Sequence, residues 1–182
     1  MAEIIYKVCS FFGHREMEVS EELKNRLKIK LEDMIVNENY GLFFFGGLGM
    51  FDYLCWQVVS ELKEKYPHIR RIFCLYDPRH QRYLKRPAWM SDENFEEIVY
   101  LDLEFSRIYY RNIEMINQSD FVIFYVASTE RSGAYKAMQH TIKKKKGFIN
   151  LAIEKRYLKR RKRRFNPTFL LLKNKFSNNV LF

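Results

Sequence analysis

Apolar residues in this chain alternate between two patterns, short unbroken runs and runs spaced three or four residues apart. The first reads as buried strands and the second as helices with one buried face. Ile4 to Phe12 predicts a first strand, which runs into Gly13-His14-Arg15. Ser20 is placed to cap a helix, with Glu21 and Glu22 where the helix dipole favours acids. Leu23, Leu27, Leu31, Met34 and Ile35 form that helix's apolar face, and Asn37, Asn39 and Gly41 end it. Leu42 to Phe45 predicts a second strand, followed by the turn Gly46-Gly47-Leu48-Gly49. Phe51, Leu54, Cys55, Val58, Val59 and Leu62 then recur at helical spacing until Pro67. Ile69 to Tyr76 is the third predicted strand, closed by Asp77-Pro78.

The second half continues the alternation. Asp77 to Asn94 is long for a connection in a compact domain, the kind of segment that serves as a lid or binding loop. Glu97 to Leu101 is a candidate for a short extra strand. Phe105 to Gln118 predicts a helix with Phe105, Ile108, Tyr109, Ile113 and Ile116 inward. Phe121 to Ala127 is a fully apolar strand, Ser128 to Ala134 a polar turn, Tyr135 to Lys146 a helix and Phe148 to Ala152 a last strand. Continuously apolar strands between helices argue a parallel sheet covered on both faces. Ligands of such sheets bind at the carboxyl ends of the strands, where strand order reverses. Three polar or glycine-bearing turns fall there: Gly13 to Arg15, Gly46 to Asp52, and Ser128 to Ala134.

Charge divides the chain in two. Residues 1–142 hold 18 Lys and Arg against 21 acids, a net −3, whereas residues 143–182 hold 14 against the single acid Glu154, a net +13. Cys9, Cys55 and Cys74 are odd in number and each lies in an apolar run, which reads as three buried reduced thiols and no zinc site. No apolar run approaches the length of a membrane span and no secretory signal is evident, so a cytoplasmic protein is expected.

Four segments taken together resemble a known family. Ser10-Phe11-Phe12-Gly13-His14-Arg15, then Gly46-Gly47-Leu48-Gly49-Met50-Phe51-Asp52, then Arg111-Asn112 before Ser119-Asp120, then Ser132-Gly133-Ala134 are similar to the YpsA-like, GHR-type branch of the SLOG superfamily. The resemblance runs from about residue 4 to residue 152 and implies a Rossmann-like domain that binds a nucleotide or nucleotide-derived ligand. The expected architecture is a three-layer α/β fold with a mainly parallel five-stranded sheet of order 3-2-1-4-5. Residues 1–153 form the domain and 154–182 a basic extension. The wider superfamily includes phosphoribohydrolases, whose catalytic pair is an arginine before the fourth strand and a glutamate after a later glycine turn. Arg111 stands where that arginine would, but Lys136 and Ala137 occupy the positions expected to hold the acid. An oxocarbenium-like transition state needs a carboxylate, so that departure argues against base release.

The candidate ligand-binding residues are Gly13, His14, Arg15, Gly46, Gly47, Gly49, Asp52, Arg111, Asn112, Ser132 and Gly133, with no metal site, no further cofactor and no assignable catalytic residue. Arg15 could fork onto a phosphate or carboxylate, or be an exposed turn arginine. Gly47 is read as part of a phosphate cradle, so Gly47→Val is expected to abolish binding and to weaken it far more than stability. Asp52 either complements a helix dipole or contacts a ribose hydroxyl. Arg111 is either a surface arginine or, by the family motif, a ligand contact. Ser132 and Gly133 sit at a second helix N-terminus. Trp89 and Tyr83 either stack a base or pack their own loop down.

The run Lys155 to Arg164 suggests nucleic acid, an anionic surface, a nuclear signal or a solvated extension. Phe169 to Leu172 is too short to span a membrane and could pack back on the domain or touch a membrane surface. The functional reading is a ligand-binding sensor or accessory protein, with a homodimer admitted. A nucleotide N-glycoside or phosphoester hydrolase, and a nucleic-acid-binding protein acting through its tail, are the alternatives.

Overall fold

The computed structural model describes residues 5–76, 86–101, 107–127 and 132–152. The elements, in chain order, are β1 (Lys7–Gly13), α1 (Glu21–Glu38), β2 (Tyr40–Phe45), α2 (Met50–Lys65), β3 (Arg70–Leu75), β4 (Glu97–Tyr100), α3 (Ile108–Gln118), β5 (Phe121–Tyr125), α4 (Gly133–Lys143) and β6 (Gly147–Asn150). They build one sheet of order β4-β3-β2-β1-β5-β6, with every pairing parallel. This corrects the expected five strands to six and "mainly parallel" to wholly parallel among the described residues. The added strand is the Glu97 candidate, paired with β3 from Ile72↔Glu97 to Leu75↔Tyr100. It opens on a charged residue and is only half-buried, because an edge strand has one neighbour. The remaining strands keep the expected relative order.

Alternate residues of each central strand enter two different cores. Cys9 and Phe11 of β1, Phe43 and Phe45 of β2, and Phe73 and Leu75 of β3 pack with α1 and α2. Their neighbours Phe12, Phe44, Ile72 and Cys74 pack with Met115 and Ile116 of α3 and Ala134 and Ala137 of α4. The result is three layers. All three cysteines are buried, and burial pushes each thiol above its ordinary range.

α1 forms as its pattern predicts. Ser20 Oγ accepts from Leu23 N–H at 3.2 Å, Asn39 closes the helix in the left-handed conformation, and the five expected positions are buried. α2 likewise buries Phe51, Leu54, Cys55, Val58, Val59 and Leu62. α3 is rotated from its expected face. It buries Arg111, Met115 and Ile116, whereas Tyr109 is exposed and Ile113 half-buried. The apolar pattern gave no reason to turn an arginine inward. Phe105, Tyr83, Glu130 and the basic tail lie outside the described residues. Trp89 packs its loop onto α2, with ring centroids 5.4 Å from Tyr53 and 5.8 Å from Trp56, and it does not reach the cleft described next.

Candidate functional site

Because the sheet is parallel, the carboxyl ends of its strands share one edge. β1 has β2 on one side and β5 on the other, so the crossover direction reverses between β1 and β5. A cleft of about 350 Å³ opens at that point. Gly13, His14, Arg15, Gly46, Asp52, Arg111, Asn112, Ser132 and Gly133 all line it, drawn from four separate stretches of chain. The apolar lining of Phe11, Phe12, Leu48, Ile108 and Ala134 escaped the residue-by-residue reading, because each looked like ordinary core. Gly47 and Gly49 do not line the cleft.

The glycine turn after β2 is built from inside. A Cβ on Gly47 would lie 2.6 Å from Phe73 and 2.7 Å from Met90, and its φ is +72°. Gly47 therefore serves core packing and a left-handed backbone, and any side chain placed there meets the core. A Cβ on Gly49 would lie 2.5 Å from the Arg15 backbone. That close approach lets Met50 N–H donate to Arg15 C=O at 2.8 Å, locking the start of α2 to the end of β1. Leu48 N–H donates to Asp52 Oδ2 at 2.9 Å. The Leu48 and Met50 amides of this turn are thus already satisfied within the protein.

Asp52 and Arg111 are the buried charges of the cleft. Burial pushes the Asp52 carboxyl up to about 6, against the opposing pull of the Leu48 bond, the Arg111 charge and the Gly47 and Gly46 amides. Its Oδ1 has no hydrogen-bond partner among the described residues. Arg111 donates from one terminal nitrogen to Gly46 C=O at 2.7 Å and to Cys74 C=O at 3.3 Å. Its Nε and other terminal nitrogen donate to Asn112 Oδ1 at 3.2 and 2.9 Å. Asn112 thus orients Arg111, and Arg111 ties the ends of β2 and β3 together. A Cβ on Gly46 would come within 2.7 Å of the guanidinium, so glycine there admits the arginine. Burial lowers the arginine's pKa and the Asp52 charge raises it again.

His14 sits at the end of β1 and bridges to the end of β5. Its Nε2 accepts from Ala127 N–H at 2.9 Å, which places the ring proton on Nδ1. The Arg15 side chain is exposed at the rim. Ser132 caps α4, its Oγ accepting from Tyr135 N–H at 3.1 Å. The amides of Gly133 and Ala134 have no acceptor among the described residues. No described atom lies within 4 Å of a Cβ built on Gly133. Of the two positions expected to hold a catalytic acid, Ala137 is buried in the core and Lys136 is exposed outside this cleft.

Neither a family model nor a curated protein matches the sequence. Solved structures do match the fold. The molybdenum cofactor carrier protein of Chlamydomonas reinhardtii aligns with a TM-score of 0.51 at 14% identity, over 84% of this chain and 80% of that one. DNA processing protein A of Streptococcus pneumoniae aligns with a TM-score of 0.54 at 12% identity, over 79% of this chain and 49% of that one. TM1055, a structural-genomics target, aligns with a TM-score of 0.50 at 16% identity, over 78% and 72%. This chain has a Rossmann-like fold. Among the described residues no helix is long and apolar enough to cross a membrane.

Proposed function

We propose that the cleft binds a nucleotide or nucleotide-derived small molecule, and that the protein acts as a sensor or accessory factor of the YpsA-like kind. One observation carries the reading. A buried guanidinium with no carboxylate ion pair among the described residues lines a cleft at the strand-order reversal, and the uncommitted amides of Gly133 and Ala134 open onto the same space. Anionic groups are favoured at such a helix N-terminus, and positive charge nearby adds to the attraction. In this reading the phosphate sits toward α4, not in the glycine turn after β2. Asp52 faces the hydroxyl or amino groups of the ligand, since a carboxylate repels phosphate. That one structural neighbour is named for carrying a small cofactor agrees with a binding role.

The test uses Gly133, where a larger side chain enters open space. Calorimetric titration with nucleoside 5′-monophosphates should show binding by the wild type and none by Gly133→Val, with equal thermal melting of both. Mass spectrometry of small molecules released on denaturation gives the ligand's identity. The reading fails if the wild type binds no probe and releases no small molecule.

A second reading, hydrolysis of a nucleotide N-glycosidic bond, is favoured by Asp52. Its carboxyl lies in the same cleft as Arg111 and titrates near 6, where it could hold or release a proton at neutral pH. Its tie to Leu48 and the apolar Ala137 position weigh against that reading. Base release from nucleoside monophosphates, lost in Asp52→Asn, would establish it. No release is the expected result.

A further inference from the structure

A second concave surface lies on α3 and α4 and shares no residue with the cleft. It is an open groove of about 560 Å³ lined by Tyr109, Tyr135, Lys136, Gln139, His140 and Lys143. Lys136, His140 and Lys143 recur at positions i, i+4 and i+7, which places them in one stripe of α4. Among the described residues the groove has no acid in its lining. The acid nearest in effect is Glu114 of α3, which acts on His140 and whose carboxylate accepts from Asn117 Nδ2 at 3.1 Å.

Its two lysines, Lys136 and Lys143, are uncommitted, as are Lys144 and Lys145, which follow them in the chain. Lys136, Lys143, Lys144 and Lys145 make no ion pair with a described residue, whereas Lys24, Lys28, Lys30, Lys63 and Lys65 on the opposite face are all paired. Leaving out the buried Asp52 and Arg111, α1 and α2 together hold six Lys and Arg against seven acids, while α3, α4 and Lys144 to Lys146 hold five against one. Unpaired like charges on one surface repel each other, and a polyanion relieves that repulsion.

We propose that the α3–α4 groove binds single-stranded nucleic acid. The charge alone would suit any polyanion, but the two tyrosines narrow the choice. Tyr109 is 49% exposed, and Tyr135 is held partly against the core. Lysines follow a phosphate backbone while aromatic rings take unpaired bases, and every base has a face to stack. A duplex keeps its base faces inside and leaves the tyrosines unused. An acidic peptide would satisfy the lysines and leave the rings without partners. Beyond β6, the run Lys155 to Arg164 supplies further cations in the same chain.

The experiment uses the full chain, so that the tail contributes equally to every sample. Labelled 12-nucleotide oligothymidylate and oligouridylate, and a 12-base-pair duplex, are titrated by fluorescence anisotropy across a salt series. Either single strand should bind more tightly than the duplex. Tyr109→Ala should weaken single-strand binding at least about fivefold, and Tyr109→Phe should restore it. Lys136→Gln with Lys143→Gln should reduce the slope of log affinity against log salt by about 1.4, since each single-strand phosphate contact contributes about 0.7. These side chains are exposed or at the rim, and unchanged melting certifies the fold. The proposal is overturned by no binding to either single strand, by a preference for the duplex, or by variants that match the wild type in affinity and slope. The last result would place all binding in the tail. Gly133→Val should leave every one of these values unchanged, which separates this site from the small-ligand cleft.

Discussion

The two faces of the sheet are built on different terms. On one, α1 and α2 bury a broad aliphatic and aromatic layer, and their surface charges are paired with each other, as in Glu61 with Lys24 and Lys28 and Glu32 with Lys65. On the other, α3 and α4 bury a thinner layer that includes Arg111, Ser119 and Thr141, and the lysines of α4 and the turn after it make no ion pair with a described residue. The first face satisfies itself. The second holds a buried cation, uncommitted amides and surface charge, the features a ligand completes. Both candidate binding surfaces draw on this second face. The glycine turn after β2 serves both: Gly47 packs into the first face, while Gly46 and Leu48 line the cleft.

The largest expected effect sets two glycines against each other. Gly47→Val drives a branched side chain into Phe73 and Met90 from a left-handed backbone, and should cost about 3 kcal/mol or more. Gly133→Val meets no described atom and should change stability by less than about 0.5 kcal/mol. Urea unfolding of both variants checks this. Equal destabilisation would mean that the α4 turn is packed as tightly as the β2 turn, and the contrast between the faces would fail there.

Next in size is a difference in pH response. Asp52 has its carboxyl raised from 3.8 to about 6 in the folded state. Between those values the folded protein binds more protons than the unfolded chain, so stability falls as pH rises, and the cost is complete above about 6. The shift corresponds to up to about 3 kcal/mol. Asp52→Asn keeps an acceptor for Leu48 N–H, so it should be more stable than the wild type at pH 8 by up to that amount and lose the slope. A variant that is less stable at pH 8 would show that the ionised carboxylate is held favourably by Arg111. Glu32 and Glu61, on the solvent side of the same α1–α2 layer, have the opposite sign. Hydrogen bonds from Lys65 and Tyr66 lower Glu32, and those from Lys24 and Lys28 lower Glu61. Their contribution is present above the ordinary 4.5 and is lost as the pH falls through their lowered values.

The smallest effect concerns those pairs themselves. Glu61→Gln should cost less than about 1 kcal/mol, since the pair is largely solvated, and the cost should disappear at high salt. Chemical denaturation by urea at two ionic strengths measures it. A larger, salt-independent loss would mean that the ion pairs of α1 and α2 anchor the layer.

Much of the fold was legible because its signals are local. Ser20 and the spacing of Leu23, Leu27, Leu31, Met34 and Ile35 define α1 without reference to anything distant. β4 was legible only as a candidate, because an edge strand needs less apolar surface. The site was legible in part. His14, Arg15, Asp52, Asn112 and Ser132 come together at the cleft because parallel strands bring their carboxyl ends to one edge. The groove on α4 left a trace that went unread, the i, i+4, i+7 spacing of Lys136, His140 and Lys143.

By itself the sequence determined the order of the elements, the parallel sheet and the edge at which the polar turns converge, since periodicity and crossover geometry follow from nearest neighbours along the chain. Only the tertiary structure decided what surrounds each glycine, that Arg111 turns inward onto the carbonyls of Gly46 and Cys74, and which lysines form ion pairs among the described residues. Those outcomes depend on atoms from strands and helices far apart in sequence, and no local pattern encodes which of them will meet.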